Sequence, residues 1–328
     1  MAKASDWLGT EDFLMRPHAA ESQLLHAVTS PTKAGSQRHS NRFDGIGFVS
    51  IDEVGRGCLA GPVVVCATAW RSLNGSGSPL PWVTSLRDSK KLSHKRREVL
   101  FTEMLTHLGD AWYCEDPPPL PSTSDTTHKQ TCAPSFHIPT KLHKYTFSDV
   151  CRIALEKPRI TEVPSFSMVC ASIGSATSQE IDFYGLSNAL NMAAQRALSR
   201  LNLDFVPELL FFDGNRPLKL DATWSNHTQC LVTKGDDCLK SISASSVLAK
   251  VVRDNWMDKY SQLFPDFGFS DNRGYGTESH RRALERAGPS CLHRHSFLKN
   301  ILPSDASLTE ASSTKQLKSR CEKERLGR

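Results

Sequence analysis

Two adjacent carboxylates, Asp52 and Glu53, stand between an apolar run and a glycine-rich turn. Residues 46–51 form the apolar run, and Gly55-Arg56-Gly57 forms the turn. Hard divalent cations prefer oxygen ligands such as carboxylates, and glycines expose backbone atoms that a Cβ would cover. The pattern therefore predicts a metal and phosphate site, although an isolated pair of this kind is more often a polar turn with solvated acids.

Two later apolar runs also end in an acid beside a glycine. Residues 209–212 lead into Asp213, and residues 231–233 lead into Lys234-Gly235-Asp236. In α/β sheets, ligands gather outside the carboxyl ends of parallel strands, so these acids could converge with the first pair. Four carboxylates held together would repel one another strongly, and two divalent cations, the usual apparatus for hydrolysing a phosphodiester bond, would remove that repulsion. We refer to the four predicted metal ligands as the acid quartet: Asp52, Glu53, Asp213 and Asp236.

Such a site needs strands that end together, and the chain alternates strand-like with helix-like segments. Ser93 can cap a helix to about residue 108. Thr177 and Glu180 form a capping box that opens a second helix, predicted to reach Leu201. The alternation predicts an α/β fold in which helices cover the faces of a mixed sheet. The predicted strands are residues 46–51, 63–70, 167–173, 209–212 and 230–233, and the predicted long helix is residues 240–262.

Composition divides the chain into three parts. Residues 1–43 are a polar N-terminal extension, residues 44–303 are predicted to form one folded domain, and residues 304–328 are predicted to be a basic, flexible tail. Eight of the 18 prolines lie within residues 114–164, and proline fixes φ and removes a hydrogen-bond donor. This stretch is predicted to be an insertion, of which at least residues 116–140 form a mobile surface loop.

Net charge and cysteine content limit the possible partners and the cellular compartment of the protein. The net charge of +5 permits a nucleic-acid partner without arguing for one. Ten cysteines occur without a Cys-x-x-Cys pair, so neither a zinc site nor a disulfide framework is indicated, and reduced thiols in an intracellular protein are expected. No apolar run approaches the roughly 20 residues that cross a bilayer, and no secretory segment follows Met1. A membrane partner is therefore not expected.

Seven short motifs occur in order between residues 45 and 300, interrupted by the proline-rich stretch. They are Asp52-Glu53-Val54-Gly55-Arg56-Gly57, Asp88-Ser89-Lys90-Lys91-Leu92-Ser93, Phe212-Asp213-Gly214-Asn215-Arg216, Lys234-Gly235-Asp236, residues 241–254, residues 274–280, and residues 288–297. Each is weak alone, but in this order they make the chain resemble the type II ribonucleases H. The resemblance is closest to ribonuclease HII, the bacterial-type single-chain members. It implies a ribonuclease H-like mixed β-sheet flanked by helices, with a small helical C-terminal part, and makes residues 44–303 the catalytic domain.

The resemblance implies a metal site and a substrate site. The acid quartet would hold two Mg²⁺ or Mn²⁺ ions, which activate the attacking water and stabilise charge on the scissile phosphate. The backbone of the Gly55-Arg56-Gly57 turn would read the ribose 2′-hydroxyl, the group that separates RNA from DNA. Tyr275 would stack on the sugar beyond the scissile phosphate. The candidate phosphate contacts are Lys90, Lys91, Lys250 and, less strongly, Ser246.

The chain departs from the family pattern at two positions. Cys58 occupies a position where the family more often has proline, which affects the stiffness of the turn but not its glycines. Gly185 replaces a common asparagine, so any contact made by that asparagine is lost. Asp237 could compete with Asp236 as a metal ligand, and the Lys-Gly-Asp register favours Asp236.

Three further residues have interpretations that compete with a catalytic one. Asp254 follows Arg253 on a predicted helix and is interpreted as a salt-bridged structural residue rather than a ligand. His280 and His293 are interpreted as packing or capping residues rather than bases, because metal ions already lower the pKa of the attacking water.

The resemblance implies an endonuclease that cuts the RNA strand of RNA–DNA hybrids and single ribonucleotides embedded in duplex DNA, leaving a 5′-phosphate and a 3′-hydroxyl. Two alternatives stay open: a non-catalytic hybrid-binding subunit, and another metal nuclease of the same fold such as a junction resolvase. The intact acid quartet argues against the first, and the glycine-rich turn argues against the second. A monomer is expected, in the nucleus or mitochondrion of a eukaryote or in the cytoplasm of a bacterium.

Overall fold

The computed structural model describes residues 21, 24–25, 46–72, 80–120, 136–146, 166–299 and 301. Their strands are β1 (Gly47–Val54), β2 (Val63–Ser72), β3 (Trp112–Tyr113), β4 (Leu142–Tyr145), β5 (Phe166–Ala176), β6 (Leu209–Asp213) and β7 (Thr228–Val232). These strands form one sheet with the spatial order β3-β5-β2-β1-β6-β7-β4. β2 is antiparallel to β1 and β5, whereas β1, β6, β7 and β4 run parallel to one another. The prediction of a mixed α/β sheet flanked by helices is therefore confirmed.

Helices follow or connect these strands. Those in the described residues are α1 (His94–Leu108), α2 (Ser178–Tyr184), α3 (Leu186–Ser199), α4 (Ala222–Ser225), α5 (Gly235–Cys238), α6 (Lys240–Leu263), α7 (Phe269–Asn272), α8 (Glu278–Ala287) and α9 (His295–Leu298). The last three give the small helical C-terminal part. Among all of these, none is both long enough and apolar enough to span a bilayer.

Two apolar clusters lie on opposite faces of the sheet. Along β1, side chains alternate between the faces: Phe48 joins the cluster that contains residues of α6, and Val49 joins the cluster that contains residues of α3. Helix α3 packs very close to the sheet, since a Cβ on Gly174 of β5 would overlap the carbonyl oxygen of Ala193 on that helix. Asp52 lies on the same face of β1 as Phe48, which is the face that α6 covers.

The helix predicted from the capping box to Leu201 is two helices. The capping box is present, with Thr177 accepting from the amide of Glu180 and Glu180 accepting from that of Thr177. The first helix ends at Tyr184, because Gly185 has a φ of 79° and cannot continue a right-handed helix. The second helix begins at Leu186.

The proline-rich stretch, predicted to be an insertion over about residues 114–164, contributes one strand to the sheet. β4 lies inside it and pairs with β7, and His137 forms a bridge with Leu220. The carbonyl oxygen of Pro118 accepts a hydrogen bond from Tyr260 at 2.7 Å. The predicted loop over residues 116–140 is thus anchored at both ends, and its central residues, 121–135, lie outside the described residues. The prolines lie around β4 and not in it, so the proline content of the whole stretch gave no indication of this short strand.

Within the predicted polar extension over residues 1–43, the three residues that the structure describes are buried. Leu24 and Leu25 belong to the larger apolar cluster. Glu21 accepts hydrogen bonds from the amide and hydroxyl of Ser241, at 2.9 and 3.0 Å, near the start of α6. The rest of the extension and the predicted tail over residues 304–328 lie outside the described residues.

Candidate metal and nucleic-acid site

The acid quartet lies at one edge of the sheet because β1, β6 and β7 are parallel. Asp52 and Glu53 are near the end of β1, Asp213 is the last residue of β6, and Asp236 is in the first turn of α5, directly after β7. The glycine of the Lys-Gly-Asp motif orients one of them, since the Gly235 amide donates to Asp213 Oδ1 at 2.6 Å. The structure therefore brings together the four acids that the sequence predicts as metal ligands.

The four carboxylates influence one another electrostatically. Burial raises the pKa of Asp52 well above its usual value, and the charges of Glu53, Asp213 and Asp236 raise it further. The pKa of Asp236 is raised to about 7, chiefly by burial and then by Asp213. Burial also raises the pKa of Glu53 and of Asp213. The protein thus holds a set of acids whose ionised forms are costly without a counter-charge.

The donor set fits divalent cations. Glu53 Oε2 is buried and has no hydrogen-bond partner, while Glu53 Oε1 accepts from Arg56 at 3.0 Å. An unpartnered buried carboxylate oxygen that is influenced by Asp52 and Asp213 is suited to bind a cation, since a buried polar group without a partner is costly. Oxygen-only donors favour Mg²⁺ and Mn²⁺ over softer metals.

This electrostatic arrangement predicts a pH-dependent stability of the metal-free protein. Between its ordinary value of 3.8 and about 7, Asp236 keeps in the folded state a proton that the unfolded chain has released. The free energy of unfolding therefore falls as pH rises through this window. We expect Asp236→Asn to remove part of that loss, so that the drop in Tm from about pH 5 to about pH 8 in chelator is smaller than for the parent.

Thermal unfolding of the two proteins measures this difference directly. Titrating groups that do not interact with Asp236 are common to both proteins and cancel in the comparison, and loss of the Asp236 charge also lessens the rise in the pKa of Asp52, which acts in the same direction. An equal drop in Tm for parent and variant would contradict the assignment of a destabilising charge to Asp236.

Asp88, which was not predicted as a site residue, lies beside Asp236 and Asp237. Ligand atoms of Asp88, Asp236 and Asp237 lie within 4.8 Å of one another. Lys91 Nζ contacts Asp237 Oδ1 at 2.5 Å, which engages the acid that could compete with Asp236. Lys90 Nζ is 3.9 Å from Asp236 Oδ2, and its side chain is 80% exposed. Asp88 could have been considered from the sequence, because it is the first residue of the Asp88-Ser89-Lys90-Lys91 motif.

Two predicted phosphate contacts are engaged inside the protein. Ser246 is buried, with its Oγ donating to Ser89 Oγ at 2.9 Å, and it lies beside Asp52, where it opposes the rise in the pKa of that carboxyl. Lys250 Nζ contacts Asp254 Oδ1 at 2.7 Å, and only 16% of the lysine side chain is exposed. The geometry thus places Ser246 beside the acid quartet. It also shows Asp254 in a salt bridge, as its sequence context predicts.

The glycine-rich turn lies against the loop that carries Tyr275. The amide of Leu59 donates to the carbonyl oxygen of Gly274 at 2.8 Å, and a Cβ on Gly274 would overlap the carbonyl oxygen of Ala60. Tyr275 is 39% exposed and lies near Cys58, with burial chiefly raising its pKa to about 12. The structure thus places an exposed aromatic ring next to the turn.

Two buried histidines pack beneath the loop that carries Tyr275. His280 Nε2 lies 2.9 Å from His293 Nε2, and His280 Nδ1 lies 2.8 Å from the carbonyl oxygen of Tyr275. Burial lowers the pKa of His293 to about 3 and lowers that of His280. Both rings are therefore neutral packing groups, in line with the interpretation from sequence.

Comparisons with known proteins place the chain in a family. The model of the ribonuclease HII family matches residues 49–132 and 141–300. The ribonuclease HII of Synechococcus sp. (strain WH7803) is 34% identical over 263 residues, which cover 79% of this chain and 98% of that protein. The ribonuclease HII of Shewanella baltica (strain OS223) is 32% identical over 251 residues, which cover 76% of this chain and 87% of that protein.

A solved structure of the complex of PCNA and ribonuclease HII from Archaeoglobus fulgidus is also similar, with a TM-score of 0.45 and 18% identity over 80% of this chain and 100% of that chain. The assignment rests on the sequence matches alone. They place the protein among the endonucleases of the ribonuclease H type. The chain belongs to the ribonuclease HII family.

Proposed function

We propose that the protein is a metal-dependent endonuclease that hydrolyses the RNA strand of RNA–DNA hybrids. We further propose that it cuts at single ribonucleotides embedded in duplex DNA, leaving a 5′-phosphate and a 3′-hydroxyl. The observation that carries the proposal is the acid quartet at the edge of the sheet, next to an open glycine turn, in a chain of the ribonuclease HII family.

The acid quartet is proposed to hold two Mg²⁺ or Mn²⁺ ions. When bound, such a pair activates water and stabilises charge on the scissile phosphate and the leaving oxygen. Fixed hydrogen bonds hold two of the carboxylates in place, from the Gly235 amide to Asp213 Oδ1 and from the Glu53 amide to Asp52 Oδ1. His280 and His293 are not assigned as bases, because both are buried and hydrogen-bonded to other groups.

Recognition of the ribose is assigned to the Gly55-Arg56-Gly57 turn. A Cβ on Gly57 would meet nothing within 4 Å, so open space lies above that residue where a sugar can approach the backbone. The 2′-hydroxyl is both donor and acceptor, and it distinguishes RNA from DNA. Tyr275 stands beside the turn, where its exposed ring is available to stack on a neighbouring sugar.

The backbone of the substrate is proposed to contact Lys90 and Lys91. Both side chains are mostly exposed, and both amines stand next to acids at the site edge. Phosphate contacts supply most of the affinity of nucleic-acid-binding proteins. Lys250 and Ser246 are proposed instead to support the site from within, given their contacts with Asp254 and Asp52.

We propose residues 44–303 as the catalytic domain, acting as a monomer. The substrates proposed here are found where DNA is replicated and repaired, which favours an intracellular site of action. The pairing of β4 with β7 supports including the proline-rich stretch in this domain.

Cleavage of a duplex with one embedded ribonucleotide tests the proposal. We expect the full chain to cut this duplex next to the ribonucleotide in Mg²⁺ or Mn²⁺, and to leave an all-DNA duplex of the same sequence intact. Chelator should stop the reaction, and end-labelling should reveal a 5′-phosphate. Tight binding of hybrid without cleavage in either metal would favour the non-catalytic alternative, and cutting of branched all-DNA junctions would favour a resolvase.

A further inference from the structure

Two arginines are fully buried below the glycine-rich turn. Arg253 lies on α6 and Arg294 directly precedes α9, and the side chains of both have a relative exposure of 0%. They are among the largest fully buried side chains of the described residues. Arginine is almost never fully buried unless its charge is paired, so their surroundings need an explanation.

The two guanidinium groups donate to main-chain carbonyl oxygens around the turn. Arg253 donates to Pro62 at 2.9 Å, to Arg273 at 2.8 Å and to Ala60 at 3.2 Å. Arg294 donates from Nη1 to Arg56 at 2.9 Å, and from Nε and Nη2 to Gly61 at 3.0 and 2.8 Å. Five carbonyls of two segments far apart in the chain are thus held by two side chains. We refer to Arg253 and Arg294 as the arginine clamp.

The clamp is not built as a pair of salt bridges. Among the described residues, neither guanidinium contacts a carboxylate within ion-pair distance. Burial lowers the pKa of Arg294 to about 10, so the group stays protonated near neutrality. Carbonyl dipoles therefore solvate both cations, and the flat, forked donor pattern of arginine is what allows one side chain to reach several of them.

The glycines of the turn fit closely around the clamp. A Cβ on Gly55 would overlap Arg253 Nε, and Gly55 has a φ of 90°. A Cβ on Gly61 would come within 2.6 Å of Met257 Sδ and 3.4 Å of Arg253 Nη2. Gly55 is thus required by the interior of the protein, whereas Gly57 faces open space. The clamp and the turn fix each other's conformation.

We propose that Arg253 and Arg294 are positioning residues for ribose recognition. By holding the carbonyls of Arg56, Ala60, Gly61, Pro62 and Arg273, they fix the turn against the Tyr275 loop in the arrangement that a ribonucleotide requires. This inference rests on the proposed function. Neither arginine touches the substrate, so their loss should reduce discrimination between ribose and deoxyribose rather than binding of duplex in general.

The test compares binding of two duplexes by Arg294→Gln, made in an Asp213→Asn background that prevents cleavage. The probes are a labelled DNA duplex with one ribonucleotide and the same duplex in DNA only, and the readout is the ratio of their Kd values from fluorescence anisotropy. We expect the preference for the ribonucleotide to fall about tenfold, as when a polar site loses its alignment. The Kd for the all-DNA duplex should change by no more than about twofold, because phosphate contacts dominate it.

The matched control is Arg200→Gln in the same background. Arg200 also donates to a main-chain carbonyl, that of Ile173, and also pairs with Glu115, away from the turn. Its loss should lower Tm without changing the Kd ratio. Near-UV circular dichroism identifies a variant that does not fold. If Arg294→Gln is unfolded, Arg294→Lys replaces it, because lysine keeps the charge but has no fork of donors, and it should show the same loss of preference.

A folded Arg294 variant with the parental Kd ratio would overturn the inference. The proposed function is checked separately by the cleavage assay on the protein with Asp213 intact. If that protein cuts the ribonucleotide-containing duplex and the variant keeps the ratio, only the clamp is rejected. If that protein cuts neither hybrid nor embedded ribonucleotide, the proposed function fails first.

Discussion

Asp213→Asn should reduce cleavage by roughly three orders of magnitude or more, while duplex binding stays within a few-fold of the parent. The substitution removes a charge from the acid quartet and keeps the shape of the side chain. Asparagine Oδ1 can still accept the hydrogen bond that Asp213 Oδ1 receives from the Gly235 amide at 2.6 Å. The lysines near the site edge are unchanged, so the contacts that dominate affinity remain.

The same substitution should stabilise the metal-free protein near pH 8. Burial raises the pKa of Asp213, which means that its ionised form is less stable in the folded than in the unfolded protein. Stability is therefore lost as pH rises through the folded pKa, and an uncharged asparagine avoids that loss. Higher Tm in chelator with abolished cleavage is a combination that damage to the fold cannot produce.

Gel-based cleavage in Mn²⁺, anisotropy and thermal unfolding give the three readouts. Asp52→Asn should behave in the same way. Asp204→Asn is the matched control, because Asp204 is an exposed acid paired with Arg71 outside the site, and it should leave cleavage unchanged. Cleavage within tenfold of the parent by both Asp52→Asn and Asp213→Asn would reject the acid quartet as the metal site.

Gly57→Val should reduce cleavage at an embedded ribonucleotide by roughly two orders of magnitude or more without lowering Tm. The structure separates this glycine from its neighbour. A Cβ on Gly57 meets nothing within 4 Å, and its φ is outside the left-handed region. Valine there fills only the space that the ribose is proposed to use.

Gly55→Val is a different experiment, because the new Cβ would overlap Arg253 and the φ of 90° strains any side chain. We expect it to lower Tm as well as activity. Arg56→Ala keeps the backbone and removes an exposed guanidinium that pairs with Glu53, so it should cost only about tenfold. If folded Gly57→Val cuts as well as the parent, the turn does not read the sugar and a resolvase-like activity gains support.

The location of the acids could be predicted because it depends on a rule about strands. Three apolar runs each end in an acid, and parallel strands bring those ends to one edge. The interior of the site could not be predicted in the same way. Ser246 and Lys250 lie on a helix of which nearly every side is buried, so periodicity gives no sign that Ser246 lies beside Asp52 or that Lys250 is largely buried. The i,i+4 spacing of Lys250 and Asp254 was, by contrast, a visible signal for their ion pair.

Two further features were hidden from the sequence for different physical reasons. Arg253 and Arg294 are arginines, which usually lie on the surface, and the carbonyl oxygens around them offset the cost of burying their charge. Strand β4 is too short and too polar to stand out, and its place in the sheet is set by β7, its neighbour in space but not in sequence.

Helix α6 has a consequence for where the substrate is cut. It carries Ser246, which contacts Asp52, and Arg253, which holds the glycine-rich turn. Seven residues separate them, or about two helical turns and roughly 10 Å along the axis. Under the proposed function, this one rigid helix fixes the distance between the turn that would read the ribose and the acids that would hold the metal ions. If the protein cuts as proposed, the distance between ribonucleotide and nick is set by a helix, which does not stretch, and every ribonucleotide should yield the same ends.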